Sequence, residues 1–200
     1  KATQLKTEVL LAQIIPHFQF NSLTAIQGLL YQDTPMVASK YLSKFSNLVR
    51  LILEQSREKW ITVSEESKVL QLYLELQQLR FENKFEYQFQ VDDNVSVNTI
   101  MLPPMLTQPF VENASEHGIL PLEGSGKIKI EISSDPRSLT ILIKDNGVGL
   151  NAPKTPAKSK DSSKKKSLGI DITKERLEVL FSNDYQLEIR ELFDEHQVAG

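Results

Sequence analysis

The chain contains no cysteine. Disulfides and thiolate metal sites are therefore excluded, and a reducing compartment fits. No apolar stretch approaches the roughly 20 residues that a membrane-spanning helix needs. The first residues, Lys1 to Lys6, are polar and helix-compatible. They lack the pattern of a signal peptide and read as cut from a longer chain. Positive charge is not in excess, because 23 basic residues face 26 acidic ones for a net charge of −3. Nucleic acid is thus not expected as the main ligand. What is present is an ordinary globular composition, 40% hydrophobic over 200 residues. That suffices for one medium domain or two small ones with a buried core.

The first half reads as helices. Leu11, Ile15, Phe18, Ser22, Ala25 and Leu29 recur at alternating steps of four and three, a heptad-like seam. Asp33-Thr34-Pro35 breaks it, and Ala38, Leu42, Phe45, Val49 and Ile52 form a second amphipathic stripe. Two helices with a short break suggest an antiparallel hairpin, which would bury its seam by dimerising into a four-helix bundle. Thr62 with Glu65 resembles a capping box, with Ser64 a competing cap. The helix it opens carries Val69, Leu72, Leu76 and Leu79 and is expected to end near Asn83.

The period then changes from helical to alternating. Phe85, Tyr87, Phe89 and Val91 predict a half-buried strand. Pro103-Pro104 is expected to open a helix to about His117, with Gly118 as its stop. Ile128, Ile130 and Ile132 alternate, as do Leu139, Ile141 and Ile143, which predicts a hairpin turning at Ser134 to Arg137. Residues 151–167 are lysine-rich with no apolar period and read as a mobile loop. Ile170 to Phe181 reads as helix and Tyr185 to Leu192 as strand. The fold class expected is α+β. Residues 1–83 form a helical region, and residues 84–200 form a sheet covered by helices.

Three motifs carry chemistry. Asp145-Asn146-Gly147-Val148-Gly149 follows a strand. Its glycines admit close backbone approach, and its aspartate can accept from an amino group. Taken alone, such a turn is commonplace. Glu112-Asn113-Ala114 with His117-Gly118 puts Asn113 and His117 on one helix face. An amide oxygen there suits Mg²⁺ and a carboxylate can take a proton, although a solvated polar face reads equally well. Leu168-Gly169-Ile170 precedes a helix, whose first N–H groups can meet phosphate.

In order, these motifs resemble the N box and the two glycine boxes of the Bergerat ATP-binding fold over about residues 85–192. Gln13-Ile14-Ile15-Pro16-His17-Phe18-Gln19-Phe20-Asn21 resembles the P-H-F-x-F-N phosphoacceptor box of LytS-like sensor histidine kinases. Pro103-Pro104, Gln108 through Ala114 and His117-Gly118 are similar to that family's N box, and Tyr73 and Arg80-Phe81 fall where it has such residues. The resemblance covers nearly the whole chain.

The resemblance implies a kinase core that phosphorylates His17 from Mg²⁺ and ATP and passes the group to an aspartate of a response-regulator receiver domain. It implies a homodimer and a bacterial parent protein anchored in the inner membrane through segments absent from this cytoplasmic portion. Asn113 would hold Mg²⁺, Asp145 the adenine amino group, and Gly147, Gly149 and Gly169 the nucleotide backbone contacts. Glu112 is a candidate base, and Asn21 would orient the imidazole or a water. His117 and Arg80 would reach phosphate, unless His117 caps its helix and Arg80 makes a salt bridge. Lys164, Lys165 and Lys166 would lie in an ATP lid.

Two departures stand out. Ser167 and Ile172 replace a glycine and an asparagine of the second glycine box, and the chain stops where the family continues into one more strand. Two rivals therefore remain. One is a nucleotide-binding signalling scaffold with little turnover. The other is a Bergerat-fold ATPase in which His17 is structural.

Overall fold

The computed structural model describes residues 22–28, 31, 35–149, 162–182 and 184–192, with side chains of the last helix described from Gly169 onward. His17, Asn21, Leu11, Ile15, Phe18 and Leu29 lie outside the described residues, as do residues 151–161. The chain is mixed helix and sheet. A helical stretch at residues 22–28 (α1) precedes α2 (Pro35–Gln55), β1 (Ile61–Thr62), α3 (Val63–Arg80), β2 (Phe85–Val91) and β3 (Met101–Leu102). Then come α4 (Gln108–Glu112), a wide π-helical turn (Asn113–Ile119), β4 (Gly126–Ser134), β5 (Leu139–Asp145) and α5 (Ser162–Phe181).

The start of α3 follows from its sequence. Thr62 Oγ1 accepts from the Glu65 N–H at 3.2 Å, and the Thr62 N–H donates to Glu65 Oε2 at 2.8 Å. This is a closed capping box. The helix ends earlier than the expected Asn83, at Arg80, where Glu82 and Asn83 take left-handed φ angles of 52° and 58°.

The face that α3 buries is broader than the predicted stripe. Val69 and Leu76 are buried as expected, but so are Leu70, Tyr73, Leu74, Gln77 and Glu66, while Leu72 and Leu79 are only partly covered. The reason is position, because α2, β2 and α4 all pack on this helix. On α2 the buried ridge is rotated from the predicted one. Tyr41 and Leu48 are fully buried while Leu42 is 47% exposed. The Tyr41 ring covers more apolar area, and its hydroxyl donates to Ser22 Oγ at 3.4 Å, so burial leaves no stranded polar group. Phe45 and Ala25 pack against this same core from its margin.

One sheet has the order β2-β4-β5, with β2 parallel to β4 and β5 antiparallel to it. Phe85 pairs with Gly126 and Val91 with Ile132, so Ile128, Ile130 and Ile132 all face the core. The predicted hairpin forms, and Asp135 Oδ1 closes its turn by accepting from the N–H groups of Arg137 and Ser138. A parallel β2–β4 pair requires a crossover. That crossover contains α4 and the wide turn, which places the E-N motif against the sheet. One hydrophobic cluster runs from Tyr41 and Leu48 through α3 to Ile132.

Four expectations are corrected. Pro103-Pro104 opens no helix. Met101–Leu102 pairs with Ile61–Thr62 instead, and α4 begins at Gln108. Glu66 holds the N–H groups of Met105 and Thr107, which keeps this stretch out of a helical ladder. Gly118 is not a stop, since the wide turn carries on to Ile119. Residues 162–167 of the expected loop belong to α5, so Gly169 lies inside a helix rather than before one. Residues 185–190 join no strand ladder among the described residues.

Candidate functional site

The E-N motif straddles the join of α4 and the wide turn. Asn113 is the residue at which α4 ends, and its N–H donates to the carbonyls of Phe110 and Pro109. A π-helical turn carries one extra residue per turn and recurs at functional positions. Here it runs through Asn113, Glu116, His117 and Gly118.

The first glycine motif comes directly onto that turn. The Val148 N–H donates to the Gly118 carbonyl at 3.1 Å. A β-carbon on Gly147 would stand 2.4 Å from the Gly118 carbonyl carbon, so only glycine permits this approach. A β-carbon on Gly118 would in turn meet Asp145 Oδ1 at 2.7 Å. Gly149 adopts a left-handed φ of 81°, and a β-carbon there would meet the Glu191 carboxylate. The structure thus brings together Asn113, His117, Gly118, Asp145, Gly147 and Gly149. Asp145 is exposed, and its Oδ1 accepts from the Gly147 N–H at 2.9 Å, which shapes the turn.

Gly169 is placed differently. It packs across α4, where its β-carbon would sit 3.5 Å from Pro109 Cβ, and its carbonyl accepts from Thr173 Oγ1 at 2.9 Å. It lies beside the first turn of α4 rather than at a free helix N-terminus.

Arg80 makes an ion pair. Its Nη1 lies 2.7 Å from Glu116 Oε1, with the two side chains only 18% and 10% exposed. Gln77, fully buried, ties the pair down. Its Nε2 donates to Glu116 at 3.0 Å and to the Tyr73 hydroxyl at 2.6 Å, and its Oε1 accepts from Arg80 at 3.2 Å. The Arg80 guanidinium also lies over the Phe81 ring at 4.8 Å. This is a half-buried network rather than the surface pair that was the alternative to phosphate.

Glu112 sits one turn before Glu116. Burial chiefly, and then the Glu116 charge, push its carboxyl up to about 7 against a smaller pull from Arg80. A carboxyl titrating there is part protonated and part ionised near neutral pH, so it can exchange a proton in that range. Burial likewise raises the Tyr73 hydroxyl well above its ordinary value.

The donor set suits a hard cation with phosphate. Mg²⁺ keeps several waters and takes one or two protein oxygens besides those of phosphates. The Asn113 amide oxygen is of that kind and could serve, and the glycines of the facing turn leave the room that side chains would fill. Glu66, Gln77 and Glu116 were missed from sequence. Glu66 in the first turn of α3 reads as a helix-dipole complement, and no local pattern distinguishes a carboxylate that binds a distant connecting segment.

The family model of histidine kinases matches residues 5–85. The chain is 34% identical over 145 residues to the sensor protein LytS of Staphylococcus haemolyticus, covering 72% of this chain and 24% of that protein. It is 29% identical over 187 residues to the sensor histidine kinase BtsS of Escherichia coli strain K12, covering 94% of this chain and 31% of that protein. It is 28% identical over 189 residues to the sensor histidine kinase YesM of Bacillus subtilis, covering 94% and 31%. The chain therefore spans about a quarter to a third of the length of these relatives.

Proposed function

This chain belongs to the LytS-like sensor histidine kinases, and from that footing we propose that it is the kinase core of such a sensor, phosphorylating His17 from Mg²⁺-bound ATP. The supporting observation is the Val148-to-Gly118 hydrogen bond, which joins the D-x-G-x-G turn to the E-N motif in one site. Asn113 supplies the oxygen for Mg²⁺, Asp145 faces the adenine amino group, and Gly147 and Gly149 let the nucleotide reach the backbone. His117 lies on the same turn as Asn113, within reach of phosphate. Gly169 contributes by letting α5 lie close on α4. Arg80 acts through Glu116.

A His17 ring nitrogen forms the bond to the γ-phosphorus as the bond to the β–γ bridging oxygen breaks and ADP leaves. The ring proton passes to a base, for which Glu112 has a fitting proton affinity. Asn21, four residues after His17 in the sequence, orients the imidazole or a water. Positioning and charge neutralisation supply most of the catalysis. The phosphoryl group then moves to an aspartate of a response-regulator receiver domain. Residues 1–83 form the helical dimerisation and phosphotransfer region, whose two-helix hairpin closes a four-helix bundle in the homodimer, and residues 84–200 form the ATP-binding domain. The membrane anchor belongs to other parts of the parent protein.

The test is labelling with γ-labelled ATP. An acid-labile, base-stable label that disappears in His17→Ala is expected, and equal labelling of His17→Ala sinks the assignment. One observation favours a second reading, a nucleotide-binding scaffold with little turnover. Gly169 lies inside α5 and Ser167 stands where the second glycine box has a glycine. Tight nucleotide binding without label would select it.

A further inference from the structure

Glu66 is the most fully enclosed charge-bearing group among the described residues, 2% exposed on the inner side of α3. Burying a carboxylate is costly unless donors surround it. Three do. The Met105 N–H donates to Oε2 at 3.1 Å, the Thr107 N–H to Oε1 at 3.0 Å, and the Thr107 hydroxyl to the same Oε1 at 2.5 Å. All three come from the five residues that lead into α4.

The same short segment is also held from α5. Arg176 of α5 donates through Nη2 to the Pro104 carbonyl at 3.0 Å. Immediately beyond, Gly169 of α5 meets Pro109 in the first turn of α4. The segment itself is under strain, since Met105 holds a left-handed φ of 57°. A non-glycine residue persists there only where its surroundings over-determine it. Two elements distant in sequence thus converge on Pro104 to Thr107, α3 through Glu66 and α5 through Arg176, and α4 continues directly from that segment.

We propose that Glu66 and Arg176 are positioning residues for the phosphoryl-transfer site. They clamp residues 104–107 so that α4, with Glu112 and Asn113 at its end, is held in one register between α3 and α5. This rests on the assignment of Asn113 to the nucleotide. Neither residue touches substrate. Their effect is carried by the seven residues from Met105 to Val111, which begin at the strained Met105. The missing helix at Pro103-Pro104 fits the clamp, because Met105 holds a left-handed φ and the Thr107 N–H, which a helix would bond to the Pro103 carbonyl, is taken by Glu66.

The test compares Glu66→Gln, Thr107→Val, Thr107→Ser and Arg176→Gln with the unaltered chain, each checked for folding by circular dichroism. Mg²⁺·ATP affinity is measured by calorimetry and labelling of His17 at saturating ATP. Thr107→Val removes one donor without changing volume, so it stays informative if Glu66→Gln fails to fold. The expected result is a nucleotide affinity about tenfold weaker in Thr107→Val and Arg176→Gln, the scale of one lost bond to a charged group. Thr107→Ser, which keeps the hydroxyl, is expected to bind as the unaltered chain does. Thr107→Val folded and with unchanged affinity, while Asn113→Ala has lost nucleotide, overturns the clamp and leaves the site assignment standing. Asn113→Ala binding as well as the unaltered chain overturns the site assignment instead, and the clamp's role in the reaction with it.

Discussion

Gly147 lies against Gly118 so closely that a β-carbon on Gly147 would stand 2.4 Å from the Gly118 carbonyl carbon. The contact is backbone against backbone, and no rotamer change can relieve it. Gly147→Ala is therefore expected to push the Asp145–Gly149 turn away from the wide turn. Nucleotide affinity should fall at least tenfold, with a stability loss of about 1–3 kcal/mol. Calorimetric titration with Mg²⁺·ATP and thermal melting check this. Binding like that of the unaltered chain would show that the turn is free to move.

Glu112 makes stability depend on pH. Its carboxyl is raised from 4.5 to about 7 in the folded chain, first by burial and then by Glu116. The folded state then holds its proton more tightly than the unfolded state does. The resulting stabilisation is complete below the unfolded value and is lost as pH rises through about 7. For the chain without nucleotide or Mg²⁺, the difference in unfolding free energy between the unaltered chain and Glu112→Gln should shift by on the order of 1–3 kcal/mol across that window. Denaturation at a series of pH values measures it, and a constant difference refutes it.

The Arg80–Glu116 pair is mostly shielded from water, so removing one partner strands the other. Arg80→Met should cost about 2–4 kcal/mol in stability without any nucleotide present. Adding Glu116→Gln should recover part of that loss, which a double-mutant cycle in urea would read. An Arg80→Met variant as stable as the parent would return Arg80 to the role of a free phosphate ligand.

Thr62 closes the capping box of α3. Thr62→Ala is expected to cost about 1 kcal/mol. The loss should be visible as a lowered denaturant midpoint with an unchanged slope. Thr62→Ser should lose less.

Much of this was legible in the chain itself. The capping box at Thr62 and Glu65, the Phe85–Val91 strand and the hairpin at Ile128–Ile143 depend on short-range periodicity and on one local hydrogen-bond pair. Those interactions form between near neighbours, so the linear order carries them. The D-x-G-x-G and E-N motifs were equally visible as residue types at fixed spacing.

Tertiary packing decided the rest. On α2 the buried ridge runs through Tyr41 rather than Leu42, because Ser22 offers Tyr41 a partner. Pro103-Pro104 lies outside any helix because a carboxylate nearly 40 residues earlier takes the amides of Met105 and Thr107. Gly169 sits within α5 and against Pro109 rather than at a free helix end. The sequence by itself determined the residue types and spacing of the E-N and D-x-G-x-G motifs and the local elements that hold them. The tertiary structure alone decided that Gly147 meets Gly118, that Arg80 binds Glu116 and that Glu66 grips the entry to α4. Each of these depends on groups 29 to 41 residues apart. At that separation a local pattern has no reach, and only a closed core brings the partners within bonding distance.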